Sequence, residues 1–149
     1  MSVATISAAL RRAVAERAEH CCEYCGLSDE ATLAPHEPDH IIGEQHGGET
    51  ALDNLAYACF RCNRFKGPNI ATRDPQTGEV VVLFNPRVER WSAYFERAGA
   101  EIVPLTPVGR GTVFLLRMND EQRVLLHAEL LRQGRYRPPS PPAGSVGLP

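Results

Sequence analysis

The chain has 149 residues, 43% of them hydrophobic, with 16 basic against 18 acidic side chains and a net charge of −2. That length suits one domain with appendages and can bury a sizeable core. Met1 to Arg17 carries no apolar run typical of a signal peptide and no segment approaches transmembrane length, so a secreted or membrane-spanning protein is not expected, and the paired cysteines point to a reducing, cytoplasmic setting. A net charge of −2 is weak for a nucleic-acid binder, but it is unevenly spread. Residues 1–53 hold 3 arginines against 10 acids, and residues 54–149 hold 13 basic residues against 8 acids. Arg61, Arg64, Lys66 and Arg73 form a basic cluster with no acid from Asn54 to Arg73. Such a cluster either contacts phosphates or is a solvated helix face.

Taken in chain order, Ser7 to Ala18 predicts an alanine-rich helix with Leu10 and Val14 on one side. Arg11 and Arg12 on it face either DNA or water. His20 is expected to end this helix, where an imidazole suits the dipole. Glu37 to Ile42 reads as a short strand, Gly43 to Glu49 as a polar loop with the double glycine Gly47-Gly48, and Leu55 to Ala58 as a second strand after an Asx-type turn at Asp53-Asn54. A helix starts near Cys59 and stops at Gly67-Pro68. Beyond a turn at Asp74 to Gly78, a strand from Glu79 to Phe84 is expected to pair with one from Ala100 to Val103. Trp91, Tyr94 and Phe95 read as core. Thr106-Pro107 opens a helix to about Met118, and Asn119-Asp120 caps another to about Gln133. His127 on that last helix reads as ordinary surface. Residues 137–149, rich in proline, glycine and serine, should be disordered.

Two short hooks, Cys22-x-x-Cys25 and Cys59-x-x-Cys62, bracket the two central strands. Each hook lets two thiolates reach one ion from a tight turn, and two hooks complete a tetrahedral zinc site. A closed four-sulfur site has no open position, so it is structural. The alternatives are free thiols or a redox pair, but a thioredoxin-like pair needs one hook in a βαβ context, and here there are two hooks and no such pattern. Cys21 replaces Cys22 only by widening the hook, so it reads as a small half-buried residue.

The stretch between the hooks carries other chemistry. Asp39-His40 lies on the first strand. On the helix, Cys59, Cys62 and Asn63 fall at i, i+3 and i+4 and share one face. A hairpin followed by this helix brings a carboxylate, an imidazole and an amide together. These three groups suit a hydrolysis by an activated water. An imidazole can take a proton from water near neutral pH, and a hard divalent ion takes oxygen ligands such as a carboxylate and an amide carbonyl while keeping several waters. His36, just before the strand, and His46, beside the double glycine, are lesser candidates for contact with the site.

These motifs, in this order, resemble the HNH endonuclease family: Cys22-x-x-Cys25-Gly26, Asp39-His40-Ile41-Ile42, Gly47-Gly48, Asp53-Asn54-Leu55, and Cys59-x-x-Cys62-Asn63-x-x-Lys66-Gly67. The likeness covers about residues 20 to 67. It implies a ββα-metal fold and metal-dependent cleavage of phosphodiester bonds, leaving 5′-phosphate and 3′-hydroxyl ends. It also implies that His40 is the general base, that Asp39 and Asn63 bind a catalytic Mg²⁺ or Mn²⁺, and that Asn54 braces the loop that positions His40. Asn63 stands where the family often has histidine, and Gly43 where many relatives have proline. Asp74 to Tyr136 resembles, more vaguely, the C-terminal extension of small stand-alone members.

The expectation is therefore an α+β protein. It has a core of this kind with its N-terminal helix (1–73), a C-terminal extension of a β-hairpin and helices (74–136), and a tail (137–149). Zinc sits on Cys22, Cys25, Cys59 and Cys62. The substrate is DNA, contacted by Arg61, Arg64 and Lys66, and cutting both strands with one small site would favour a homodimer. A second reading, from a different class, is a zinc-dependent nucleic-acid-binding module without catalysis. A third is a structural zinc protein that uses the fold for protein contacts.

Overall fold

A computed structural model describes residues 5–139. The first helix, α1 (Ala8–Arg17), is capped by the Ser7 hydroxyl, which accepts from the Leu10 N–H at 3.1 Å. It buries Val14 against Leu55 and Tyr57. The Arg17 guanidinium donates to the carbonyls of Leu52 and Leu55, fastening the helix across the entry to the second strand. Arg11 faces Glu37 in an exposed ion pair at 2.6 Å. His20 is not on the helix: the chain turns out of it through two left-handed residues, Glu19 (φ 53°) and His20 (φ 60°), and His20 pairs with Asp29 at 3.1 Å.

Strands β1 (Glu37–His40) and β2 (Leu55–Ala58) pair antiparallel, with Asp39 opposite Ala56 and His40 opposite Leu55. β2 is buried along its whole length, as its composition of Leu, Ala, Tyr and Ala allows. Helix α2 (Phe60–Lys66) follows directly and packs on both strands. Its N-cap is Cys59, whose sulfur accepts from the Cys62 N–H at 3.4 Å, so the second hook is also the start of a helix. Gly67, at φ 51°, ends it.

The C-terminal half is built of two local hairpins, β3 (Ala71–Arg73) with β4 (Val80–Val82) and β5 (Phe95–Ala98) with β6 (Glu101–Pro104). Short helix α3 (Trp91–Tyr94) lies between them, and α4 (Pro107–Leu116) and α5 (Glu121–Arg132) close the chain. The expected pairing of residues 79–84 with 100–103 does not form, because each strand finds a partner next to it in sequence. Turns at Gly78 (φ 80°) and Gly99 (φ 60°) close these short loops, at a lower entropy cost than a distant pairing. Asn119 does not cap α5. Its amide instead bonds both the N–H and the carbonyl of Ile102, at 2.8 and 2.7 Å, acting as an extra strand residue.

One apolar core runs from Tyr24, Leu27 and Ile41 through Phe84, Trp91, Phe95 and Ile102 to Leu116 and Leu130. Trp91 and Phe95 are core, as expected, and the Trp91 indole N–H donates to the Tyr24 carbonyl at 2.8 Å. His127 is a correction: it is buried, lies 3.1 Å from the Ala100 carbonyl and stacks on Tyr136 with 4.5 Å between ring centres. Arg123, His127 and Leu130 share the inward face of α5 at helical spacing. A pattern of apolar residues alone misses such a face, because two of the three are polar and satisfied. Of the tail expected to be disordered, Arg137 and Pro139 lie against Gly26, where a Cβ would meet the Arg137 carbonyl at 2.6 Å. Residues 140–149 lie outside the described residues. Among the described residues no helix is long and apolar enough to cross a membrane.

Candidate functional site

The four hook cysteines are buried and unpaired by disulfides, and their sulfurs all lie within 4.8 Å of one another. Cys25 and Cys59 approach to 3.7 Å. A tetrahedral zinc–thiolate site, with bonds of about 2.3 Å, has sulfurs about 3.8 Å apart, so the cluster fits such an ion. The Cys25 N–H points at the Cys22 sulfur at 3.5 Å, as the Cys62 N–H does at Cys59. The residues inside the first hook are not spacers. Glu23 accepts from the Tyr57 N–H at 2.7 Å and pairs with Arg87, and the Tyr24 hydroxyl donates to Asp39 at 2.9 Å. The hook is thus wired to both strands of the hairpin.

Asp39 sits on the inner face of β1, 5% exposed. Its Oδ2 receives Tyr24 and, at 3.1 Å, the ammonium of Lys66, while Oδ1 has only a 3.5 Å contact from the same ammonium. Burial raises the Asp39 pKa, and Lys66 and the Tyr24 hydrogen bond pull the other way. Tyr24, buried beside that carboxylate, is held well above the ordinary phenol range by desolvation first and Asp39 second. Lys66 is the main correction to the expected site. It is 1% exposed, and it also donates to the carbonyls of His40 at 3.0 Å and Ile41 at 3.3 Å, so it does not reach out to phosphates. It falls one turn beyond Cys62, on the face of α2 that turns inward.

His40, the next residue along β1, is half-buried. Its Nε2 lies 2.8 Å from the Thr50 hydroxyl and 3.6 Å from Glu44. Among the described residues, Nδ1 makes no hydrogen bond and is not one of the buried unpartnered polar atoms, so it is not fully shut off from solvent. Asn63 is half-buried on α2, and its amide has no protein partner among the described residues. β1 and α2 thus carry a loosely engaged carboxylate oxygen, an imidazole and an uncommitted amide, of which the two oxygen donors are of the kind a hard divalent ion takes.

The loop between the strands is pinned by Asn54. Its carbonyl oxygen accepts from the Ile42 N–H at 2.9 Å, and its amide donates to the carbonyls of Ile42 at 2.9 Å and Glu49 at 2.8 Å. Gly48 permits this closure, since a Cβ there would lie 1.7 Å from the Ile42 oxygen and 2.8 Å from the Asn54 amide nitrogen. Gly43 adopts φ −61°, the backbone that a proline would impose. His46 is exposed on this loop beside Gln45. His36 is buried, its Nε2 2.8 Å from the Leu27 carbonyl and its ring against Tyr57, so it belongs to the packing.

On the outer face of α2, exposed Arg64 lies over the half-exposed Phe60, and Arg61 donates to Gln122. These residues, with Arg117, line an open groove of about 620 Å³ into which Asp120 and Glu121 also face. Its charge is therefore mixed. Tyr24, Thr50 and the structural use of Lys66 escape a reading of the sequence. Nothing in spacing distinguishes a tyrosine inside a hook from a filler, and a lysine two residues from Arg64 reads as part of the same patch.

Residues 22–69, about a third of the chain, match the family model described as HNH endonuclease. The match contains both hooks, Asp39, His40, Asn54, Asn63 and Lys66. No curated protein and no solved structure matches the chain.

Proposed function

We propose that this protein is a metal-dependent endonuclease that hydrolyses phosphodiester bonds in DNA through a ββα-metal site formed by β1, β2 and α2. The observation that carries the reading is the presentation of His40 inside the matched segment. One ring nitrogen is fixed against Thr50 and the other is left without a protein partner, while the next residue back along β1 is an underbonded carboxylate and α2 carries an amide without a protein partner. His40 Nδ1 takes the proton of the attacking water, and the Thr50 contact sets the ring plane in which it does so. Asn54 and Gly48 hold the loop that carries Thr50. Asp39 and Asn63 would hold Mg²⁺ or Mn²⁺, and Lys66 pulls the Asp39 pKa back down against the effect of its burial. When bound, the ion supplies Lewis-acid stabilisation of the phosphoryl and leaving oxygens. The four cysteines hold structural zinc. Arg61 and Arg64 approach the phosphate backbone from the outer face of α2.

One observation favours a second reading, a zinc-dependent binding module without catalysis: the Asp39–Lys66 pair gives the carboxylate a structural use. Incubation with supercoiled plasmid plus Mg²⁺, Mn²⁺ or chelator separates the two. The parent should nick in metal and not in chelator. His40→Ala should cut about 10²–10⁴-fold more slowly with zinc content, melting temperature and DNA affinity unchanged. A His40→Ala variant that cuts like the parent overturns the mechanism. Binding without cutting, in any metal, hands the case to the second reading.

A further inference from the structure

Arg123 lies on α5, beyond the segment that matches the family. It is 4% exposed, and it is in none of the ion pairs with a carboxylate among the described residues. Its Nη2 donates to the Cys62 sulfur at 3.0 Å and lies 3.8 Å from the Cys59 sulfur. Its Nη1 donates to the carbonyls of Leu116 at 2.6 Å and Arg117 at 3.2 Å, at the end of α4. A guanidinium is always charged, and a buried charge without a counter-charge is costly. The anionic groups within its reach are the hook sulfurs, and they are anionic only as thiolates. Conversely, a divalent ion with four thiolates carries a net charge of −2 that the surrounding apolar core cannot solvate. Each buried charge solves the problem of the other.

We propose that Arg123 is the neutralising cation of the four-cysteine centre, so that α5 completes a metal site whose ligands all come from the two hooks. The proposal rests on the reading that these cysteines hold a metal. It ties metal retention to a residue 61 positions beyond the last ligand. The fork of the guanidinium divides the work: one arm holds the helix end, and the other donates to the sulfur and tempers its charge.

The test uses the full chain, loaded with zinc or cobalt(II). Retention is read by zinc release to a chromogenic chelator, and the sulfur environment by the sulfur-to-cobalt charge-transfer band. Arg123→Met should release zinc at about 10–100-fold lower chelator strength, the size expected for loss of a group that supports metal ligands. Its cobalt band should move to lower energy, because a thiolate stripped of an N–H donor gives up its electrons more easily. Arg123→Lys, with the charge but not the fork, should fall between. Leu130→Ala perturbs α5 packing but removes no group that hydrogen-bonds the sulfurs, so it should lower the melting temperature and leave band and retention in place. The proposal falls if Arg123→Met keeps the parent's band and retention, or if Leu130→Ala changes both as much. Should Arg123→Met fail to fold, an Arg123→Lys protein indistinguishable from the parent has the same force. A parent without a sulfur–cobalt band removes the metal reading itself, whereas a parent with that band and an indifferent Arg123→Met removes this inference alone.

Discussion

Each half of the molecule fastens a β-hairpin to a helix with a buried carboxylate–cation pair, and the two pairs are built differently. In the C-terminal half, Asp74 at the β3–β4 turn meets a bidentate Arg110 fork from α4 at 2.8–3.2 Å and also accepts from the Gln76 N–H and the Thr77 hydroxyl. Arg110 first, and these turn hydrogen bonds after it, hold the Asp74 pKa below the usual carboxylate range. In the N-terminal half, Asp39 on β1 meets the point charge of Lys66 and one hydroxyl, one of its oxygens is barely engaged, and its pKa is raised by burial. A carboxylate with every lone pair committed is a fastener. One that is buried and underbonded, with one oxygen held only by a 3.5 Å contact, retains capacity for a further ligand. The difference sets the first hairpin, not the second, apart as the one with spare bonding capacity at its carboxylate, which is what the proposed function requires.

The largest effect should come from removing what holds the first hairpin in place. Cys59→Ser removes one of the four sulfurs proposed to hold zinc and alters the cap of α2. Structural zinc contributes roughly 10–16 kcal/mol of apparent binding energy in small peptides, as much as a domain's whole stability of about 5–15 kcal/mol. The variant should carry no zinc and show no cooperative melt by circular dichroism. A zinc-free protein that melts like the parent would mean that the core stands without the metal.

Next in size is Lys66→Met, which leaves Asp39 buried without its cation. Breaking such a pair from one side typically costs about 3–5 kcal/mol. The double variant Lys66→Met/Asp39→Asn should recover much of this in urea unfolding. If Asp39 keeps capacity for an ion, Mn²⁺ should raise the melting temperature of Lys66→Met more than that of the parent. Equal shifts would reduce Asp39 to a fastener like Asp74.

Asp74→Asn should show the smallest change and a characteristic pH dependence. The folded-state pKa of Asp74 lies below the unfolded value of about 3.9. Its ionised form therefore stabilises the fold above that pH, and the stabilisation is lost as pH falls toward the folded value. Parent and variant should differ in denaturant midpoint at pH 7 and converge progressively below about pH 4. A constant gap on acidification would mean that shape, not charge, fastens the second hairpin.

The hooks, the two central strands, α2 and the Asp39, His40, Asn54 and Asn63 positions were legible in the chain because they lie within 45 residues, each in a pattern tied to local geometry. Thr106 likewise announced a helix start through the N–H group it caps. Partners across the fold were not legible. The sequence does not show that Lys66 turns inward to Asp39 while Arg64, two residues earlier, turns out, because that depends on which face of α2 meets β1. Nor does it show that Tyr24 reaches Asp39, that residues 79–84 pair locally, or that Arg123 and His127 lie on a buried face. Spacing and residue type decide which local elements can form and which atoms are available as ligands. Only tertiary packing decides which charges lose their water, and so which polar groups must find one another.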